Sequence, residues 1–486
     1  MPGKLESISA ACHHLGFFNN AAVSAHYRLS KSSSAGTASG LQQIIYRAVA
    51  DVIRRHPILS AIPVNEDTPN PYFARLPSIN LRRSILFAKR VKPYQHTPGR
   101  EDSWEDEELD GILENQHNTD FKLDYGNQPF WRLIILQNHG GERELPTGQN
   151  GMPEREDQLN ESNEFTACFV FHHALADGMS GLIFHNTLQN ALGASSLVLR
   201  DSTECIVESN DSPLLPPIEE LHPLPTNPEP PTTTTTNAWT GNSIRAPCKT
   251  RFKSLSISPS TSNGFIQACK KNGVTITSTL SSLIATVLHN ALPEATESLN
   301  CNIPVSLRRW LPQDVVDGAM GNWFDAFQVR FLFSDQNRQD STDIWPQAQK
   351  ASNEIANYLN ASPSGGPYTN IGLFKGIPDL SIVFNSLLGK ERDTAIEVSN
   401  LGVFSNPTNQ ENIWQIERVT LSRSAVVSGS AITMTAVCGG DGSMTLGFTW
   451  QEGIVEDDFV DLVITGVRRY FQGVNMRQQI AQTICK

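Results

Sequence analysis

A proline-rich run and five consecutive threonines, SPLLPPIEELHPLPTNPEPPTTTTTN at 212–237, break the chain near its middle. Proline fixes φ and carries no amide hydrogen, so such a run neither continues a helix nor enters the interior of a sheet. It is expected to pass as an extended crossover over 211–249, with the threonine tract disordered and no core of its own. On either side lie a first part, 1–210, and a second, 250–486. A chain of 486 residues exceeds one ordinary hydrophobic core, so two domains or two similar halves are expected.

Both parts alternate strand and helix signals. LQQIIYRAVADVIRR at 41–55 has apolar residues at helical spacing and stops at His56-Pro57. ILSAIPV (58–64) and FWRLIIL (130–136) read as strands, and 139–162 as a hairpin excursion. In the second part, strands are expected at 251–257, 301–305, 324–333, 396–398, 413–421, 431–438 and 444–450, with GGDG at 439–442 as a turn. Helices are expected at 260–271, after Gly273, at 345–359 and at 456–471. The interleaving predicts an α/β fold of α+β layers, in which two sheets meet.

The second constraint is HHALADG at 172–178, directly after the apolar run FTACFVF at 165–171. A buried strand there delivers an imidazole into a turn, and an amphipathic helix resumes at about 180–192. A rigid strand end suits a general base, because it fixes the ring. Asp177 can fold back to hold the turn, and Gly178 permits a backbone conformation that other residues resist. Histidines in such places also serve as hydrogen-bonded structural residues. The full pattern in this strand–turn–helix setting favours the chemical role.

Composition excludes several classes. The formal charge of −12 argues against nucleic acid, which demands a basic footprint. Much of the acidic excess lies at 101–114 and 154–164, segments that read as solvated surface or loops. The eight cysteines are scattered with no CxxC pair, so neither a metal site nor a disulfide framework is expected. No apolar run is long enough to cross a bilayer, and MPGKLESISAACHHLGFF lacks a signal-peptide core. A cytoplasmic monomer is the expectation.

Seven blocks then carry a resemblance. HHALADG (172–178), RRHPILSA (54–61), FKLDYGNQPFWRLIIL (121–136) and ACKKNGVTITSTLSSLIATVL (268–288) are four of them. The others are NIPVSLRRWLP (302–312) with Gly321-Asn322, VSNLGVF (398–404), and LSRSAVVSGSAITMTAVCGGDGSMTLGFTW (421–450). In this order they resemble the condensation-domain and chloramphenicol-acetyltransferase-like superfamily of CoA-dependent acyltransferases. Within it, the chain is most similar to fungal and yeast alcohol acetyltransferases. It lacks the DFGWG segment of the plant members, and no carrier or adenylation module accompanies it.

The resemblance implies two chloramphenicol-acetyltransferase-like subdomains, each a mixed sheet covered by helices, with a channel between them and the two late blocks, 398–404 and 421–450, crossing to the first half. It implies an O-acyltransferase, most simply an acetyltransferase, acting on a small alcohol or specialised metabolite. Acyl-CoA would be a co-substrate, with no permanently bound cofactor. His173 would be the base, in direct transfer within a ternary complex, and His172 a neighbour shaping the turn. Asp177 would brace the loop against Arg308. Asn400, Ser422 or Ser424 would stabilise the oxyanion, and Trp323 and Phe324 would line the acceptor channel. Lys249, Arg251 and Lys253, or Lys270 and Lys271, are candidate CoA-phosphate ligands. The alternatives are N-acyl transfer or condensation from a carrier-bound donor, cyclisation, isomerisation or dehydration on the same scaffold, and a binding protein without catalysis.

Overall fold

Phe165 to Phe171 are all buried, which is the pattern of a strand covered on both faces. In the structure, a computed structural model, this strand (Glu164–Phe171) is the centre of a five-stranded sheet. It pairs antiparallel with Ala21–Leu29 on one side and Trp131–Gln137 on the other. Ile85–Lys89 closes one edge in parallel, and Trp414–Arg423 closes the other, antiparallel to Ala21–Leu29. The described residues are 2–29, 40–92, 94, 103–138, 164–196, 205–228, 237–293, 295–333, 343–362, 366–406 and 413–484, with side chains to 474. The hairpin expected at 139–162 and the threonine tract lie outside them.

The second sheet has seven strands, in the order Phe324–Leu332, Ser298–Ser306, Ile396–Val403, Ile432–Cys438, Met444–Gln451, Thr250–Ile257 and Ser103–Trp104. Parallel and antiparallel pairs mix in both sheets, and helices cover them, as the α/β expectation had it. The two parts of the chain exchange strands. Trp414–Arg423 leaves the second part to join the first sheet, while Ser103–Trp104 goes the other way. Of the late blocks expected to cross over, the strands Ile396–Val403, Ile432–Cys438 and Met444–Gln451 stay in the second sheet.

Three local expectations are corrected. Residues Pro57–Ser60 form a 3-10 turn with Pro57 in its first turn, so the strand read at 58–64 begins only at Ala61. The crossover does contribute to a core: Ile218 and Leu224 are buried with Leu5, Leu307, Leu311 and Trp323. An extended segment can lay single apolar residues into a groove while its prolines face outward. The acidic stretch 101–114 is not simply solvated. Asp106 caps the helix Glu107–His117 through Leu109 N–H and is buried between Arg90 (2.8 and 2.9 Å) and Arg418 (2.5 Å). Asp110 accepts from the N–H (2.8 Å) and Oγ (2.6 Å) of Ser254. These carboxylates tie the first part to strands of the second, with every charge paired or hydrogen-bonded, as burial requires.

Candidate active site

The strand Glu164–Phe171 ends at the turn 172–177, and the helix Gly178–Ser196 leaves it. Asp177 is buried and points away from the turn's opening. Its Oδ1 accepts from Ser180 N–H (2.9 Å), Ser180 Oγ (2.9 Å) and Arg308 Nη2 (3.0 Å). Its Oδ2 accepts from Arg308 Nη1 (2.6 Å) and Trp323 N–H (3.1 Å). Burial alone would raise this carboxyl, but the Arg308 charge and the hydrogen bonds overcome it and hold it below the usual carboxylate range. Arg308 also stacks on the Trp323 ring, 4.9 Å from the centroid, and donates to Gly321 O (3.2 Å). The pair is a two-pronged clamp from one half of the chain onto the turn of the other.

His173 sits inside the turn and remains partly accessible. Asn322 Nδ2 donates to its main-chain carbonyl at 2.8 Å. The ring lies between Phe18 (5.6 Å between centroids) and Phe324 (5.4 Å), and among the described residues its Nδ1 has no hydrogen-bond partner outside the residue itself. Burial and the nearby Arg423 guanidinium push the imidazole down to about 4, so it is neutral near pH 7. Arg423 itself stacks over Phe18 at 5.1 Å and pairs with Glu397. The register explains why they meet. Ala21 faces Phe171 on one side and Arg423 on the other, so all three sit at the end of the sheet from which the turn emerges.

His172 turns the other way, into the first half. Its Nε2 lies 3.1 Å from Glu66 Oε1, and Glu66 Oε2 lies 2.7 Å from His13 Nδ1. Two imidazoles and a carboxylate are a plausible ligand set for a metal, but their outer bonds argue against one. Ala174 N–H donates to His172 Nδ1 (3.0 Å) and Phe121 N–H to His13 Nε2 (3.1 Å). A ring that gave its inner nitrogen to a metal would need a hydrogen on its outer one, which here faces a donor. Behind the turn a cleft of about 940 Å³ opens, walled by Ala174 and Leu175, by residues 212–217 of the crossover and by Gly321, Asn322 and Trp323.

Residues 102–459 match the alcohol acetyltransferase family. The chain belongs to that family. It is 49% identical over 481 residues to a probable alcohol acetyltransferase, crmB, of Aspergillus fumigatus, covering 97% of this chain and 98% of the relative. Its fold is similar to that of the trichothecene 15-O-acetyltransferase of Fusarium sporotrichioides, with a TM-score of 0.69 at 13% identity over 98% of this chain and 94% of that one. It is also similar to the condensation enzyme VibH, with a TM-score of 0.54 at 14% identity over 99% and 98%. This alcohol acetyltransferase family member is thus an acyltransferase on a condensation-like fold, as the seven sequence blocks implied.

The other predicted residues of this family member fall into distinct places. Ser424 Oγ donates within reach of the carbonyls of Asn20 (3.1 Å) and His117 (3.0 Å), so it braces main chain. Asn400 bonds Thr277 Oγ1 (3.1 Å) and Gly402 N–H (2.9 Å), holding its own strand end. Ser422 Oγ is buried with no partner among the described residues. Phe324 stands beside His173, and Trp323, largely buried beneath Arg308, also forms part of the cleft wall. Lys249 pairs with Glu452, Lys253 with Asp461, and Arg251 with Glu114, Glu452 and Asp457, so a phosphate there would have to displace carboxylates. Lys270 and Lys271 are exposed on the last turn of the helix Pro259–Lys271, where cations favour the helix C-terminus. Gly178 has no left-handed backbone; a Cβ there would lie 2.7 Å from Leu401 Cδ2, so the glycine provides space rather than the turn.

Sequence reasoning passed over Arg423, Asn322, Ser180, Glu66 and His13. Arg423 stands between the two serines it singled out, and Asn322 within a quoted pair. Glu66 and His13 carry no local signal.

The histidines also predict how the fold responds to acid. Burial pushes His26, His56, His173 and His185 down to about 4 and His117 to about 3. Between these values and about 6.5, the unfolded chain binds protons that the native one does not, so stability falls as pH drops through that window. Glu6, raised to about 8, Asp110, raised to about 7, and Asp325, Glu354 and Glu417, also raised by burial, act with the opposite sign. His172 and His222 are lowered as well, however, which makes seven histidines against five carboxyls. The thermal midpoint is therefore expected to fall steeply from pH 6.5 to 4.5; a flat or rising midpoint in a pH series would contradict these burials.

Proposed function

We propose that the chain transfers an acyl group, most simply acetyl, from an acyl-CoA thioester to the hydroxyl of a small alcohol or specialised metabolite, with His173 as the base. The acceptor O–H gives its proton to the imidazole as its oxygen attacks the thioester carbon. The C–O bond forms, the tetrahedral intermediate collapses with cleavage of C–S, and the imidazolium returns the proton to the departing sulfur. A thiolate, with a reference pKa of about 8.5, leaves readily, so no covalent acyl-enzyme is needed and transfer is direct.

The single observation that carries this reading is a neutral, partly accessible imidazole on a turn clamped by Asp177 and Arg308. Its low affinity for protons keeps it in the accepting form, and the nearby Arg423 guanidinium favours negative charge developing on the carbonyl oxygen. The cleft behind the turn offers room for a bulky co-substrate beside the loop.

The test follows free thiol release from acetyl-CoA in the presence of a panel of alcohols, with acylated products identified by mass spectrometry. Alcohol-dependent thiol release is the expected result, and its acidic limb in kcat/KM should lie well below the usual imidazole range because His173 is held near 4. If no acyl-CoA is consumed with any acceptor, the reading fails.

A further inference from the structure

We infer that Glu66 and His13 are positioning residues for His173, acting through His172 to clamp the backbone on both sides of the base. The inference rests on the acyl-transfer reading of this turn. It begins with two main-chain hydrogens. An imidazole nitrogen can accept a hydrogen bond only if it carries no hydrogen. Ala174 N–H donates to His172 Nδ1 at 3.0 Å, so the hydrogen of His172 is on Nε2, 3.1 Å from Glu66 Oε1. Phe121 N–H donates to His13 Nε2 at 3.1 Å, so the hydrogen of His13 is on Nδ1, 2.7 Å from Glu66 Oε2.

The result is a line of five groups in which each ring keeps its one hydrogen on the nitrogen nearer the same carboxylate. His13 Nδ1 bonds Glu66 Oε2, and His172 Nε2 faces Glu66 Oε1 in a close contact that is off hydrogen-bond geometry. All three side chains are buried, His13 and His172 almost completely. Charging either ring would put a hydrogen against a backbone donor. Burial opposes the Glu66 anion, but its two imidazole partners hold it at about 2, so the carboxylate keeps accepting throughout the working range. The consequence for chemistry lies in chain order. His172 precedes His173, and Ala174 follows it, so the bond from Ala174 N–H to His172 Nδ1 closes a tight loop around the base. His172 N–H is tied to Phe130 O (2.9 Å) as well. Asp177 and Arg308 hold the far end of the turn; His13 and Glu66 hold the near one.

Glu66→Gln tests this, because an amide offers one acceptor and one donor where two N–H groups arrive. One imidazole must then turn or move its hydrogen, and if His172 does so the Ala174 bond is lost. Histidine 15N resonances of the full chain report tautomers and the His173 titration without any substrate. Wild type at about pH 8 is expected to show His172 as the Nε2–H and His13 as the Nδ1–H form. In Glu66→Gln, the His173 midpoint and the acidic limb of kcat/KM should rise together by roughly one pH unit as the ring loosens toward solvent. kcat should fall on the order of 10- to 100-fold, the range a misplaced reacting group produces. His13→Phe, which offers Phe121 no acceptor and Glu66 no hydrogen, should move the midpoint and the limb in the same direction. A variant that is merely less stable would lose amplitude without moving the limb. Opposite tautomers, or an unmoved His173 midpoint in Glu66→Gln, overturn the inference. A wild type with the stated tautomers but no acyl transfer would sink the functional reading and leave the clamp standing.

Discussion

His173→Ala is expected to lower kcat by about 10²- to 10⁴-fold, the range for loss of a general base, while the protein stays folded. The geometry separates the two effects. Asn322 holds the main-chain carbonyl of residue 173 and not its ring, and ring Nδ1 bonds to no other described residue. Truncation therefore removes the proton acceptor without removing a brace, and the partly accessible position lets water take its place. Because the native ring resists protonation, its removal also relieves part of the acid penalty, so the variant should unfold at a higher temperature than wild type at pH 5. Thiol-release kinetics and thermal melts at pH 5 and 7.5 check both. Turnover within threefold of wild type would move the base elsewhere.

Asp177→Asn is expected to damage stability and activity together. The carboxylate accepts bonds from Arg308, Ser180 and Trp323, and an amide in its place must turn a donor toward at least one of these donors. Arg308 is then left largely buried without its counter-charge, a change that costs about 3–5 kcal/mol when one partner of a buried pair is removed. The loss would appear in the denaturant midpoint. Activity should fall by at least about tenfold, since the turn carrying His173 loses its anchor. The sign with pH is also set: the native carboxyl is depressed, so its contribution is present above the unfolded value near 3.9 and fades as pH falls below it. A variant unchanged in both stability and rate would contradict the clamp.

Much of the architecture was legible because its signals are local. The helix expected at 41–55 is Leu41–Arg55, and that at 345–359 is Trp345–Leu359, each announced by periodic apolar residues between clear stops. The strand before HHALADG and the helix after it follow from one run of buried residues and one turn. Other features needed partners far away in sequence. Nothing within Trp414–Arg423 marks it as belonging to the first sheet, because a half-polar strand fits either edge and only Ala21–Leu29 offers the matching register. Arg423 was passed over for the same reason: a basic residue at a strand end reads as surface until the crossing brings it beside Phe18 and the base.

The acidic segment at 101–114 shows the other limit. Composition counts charges but not their neighbours, and Asp106 is tolerated in the interior because Arg90, just past the end of one strand, and Arg418, within another, arrive from either side of the chain's midpoint. The sequence by itself determined which residue types could do chemistry and the turn that presents them, since a strand stop, an imidazole and a helix start lie within seven residues, 172–178. Tertiary structure alone decided their electrical and steric setting. Burial, the Arg308 clamp and the His13–Glu66–His172 line arise from contacts between residues dozens to hundreds of positions apart, and such contacts have no periodicity to read.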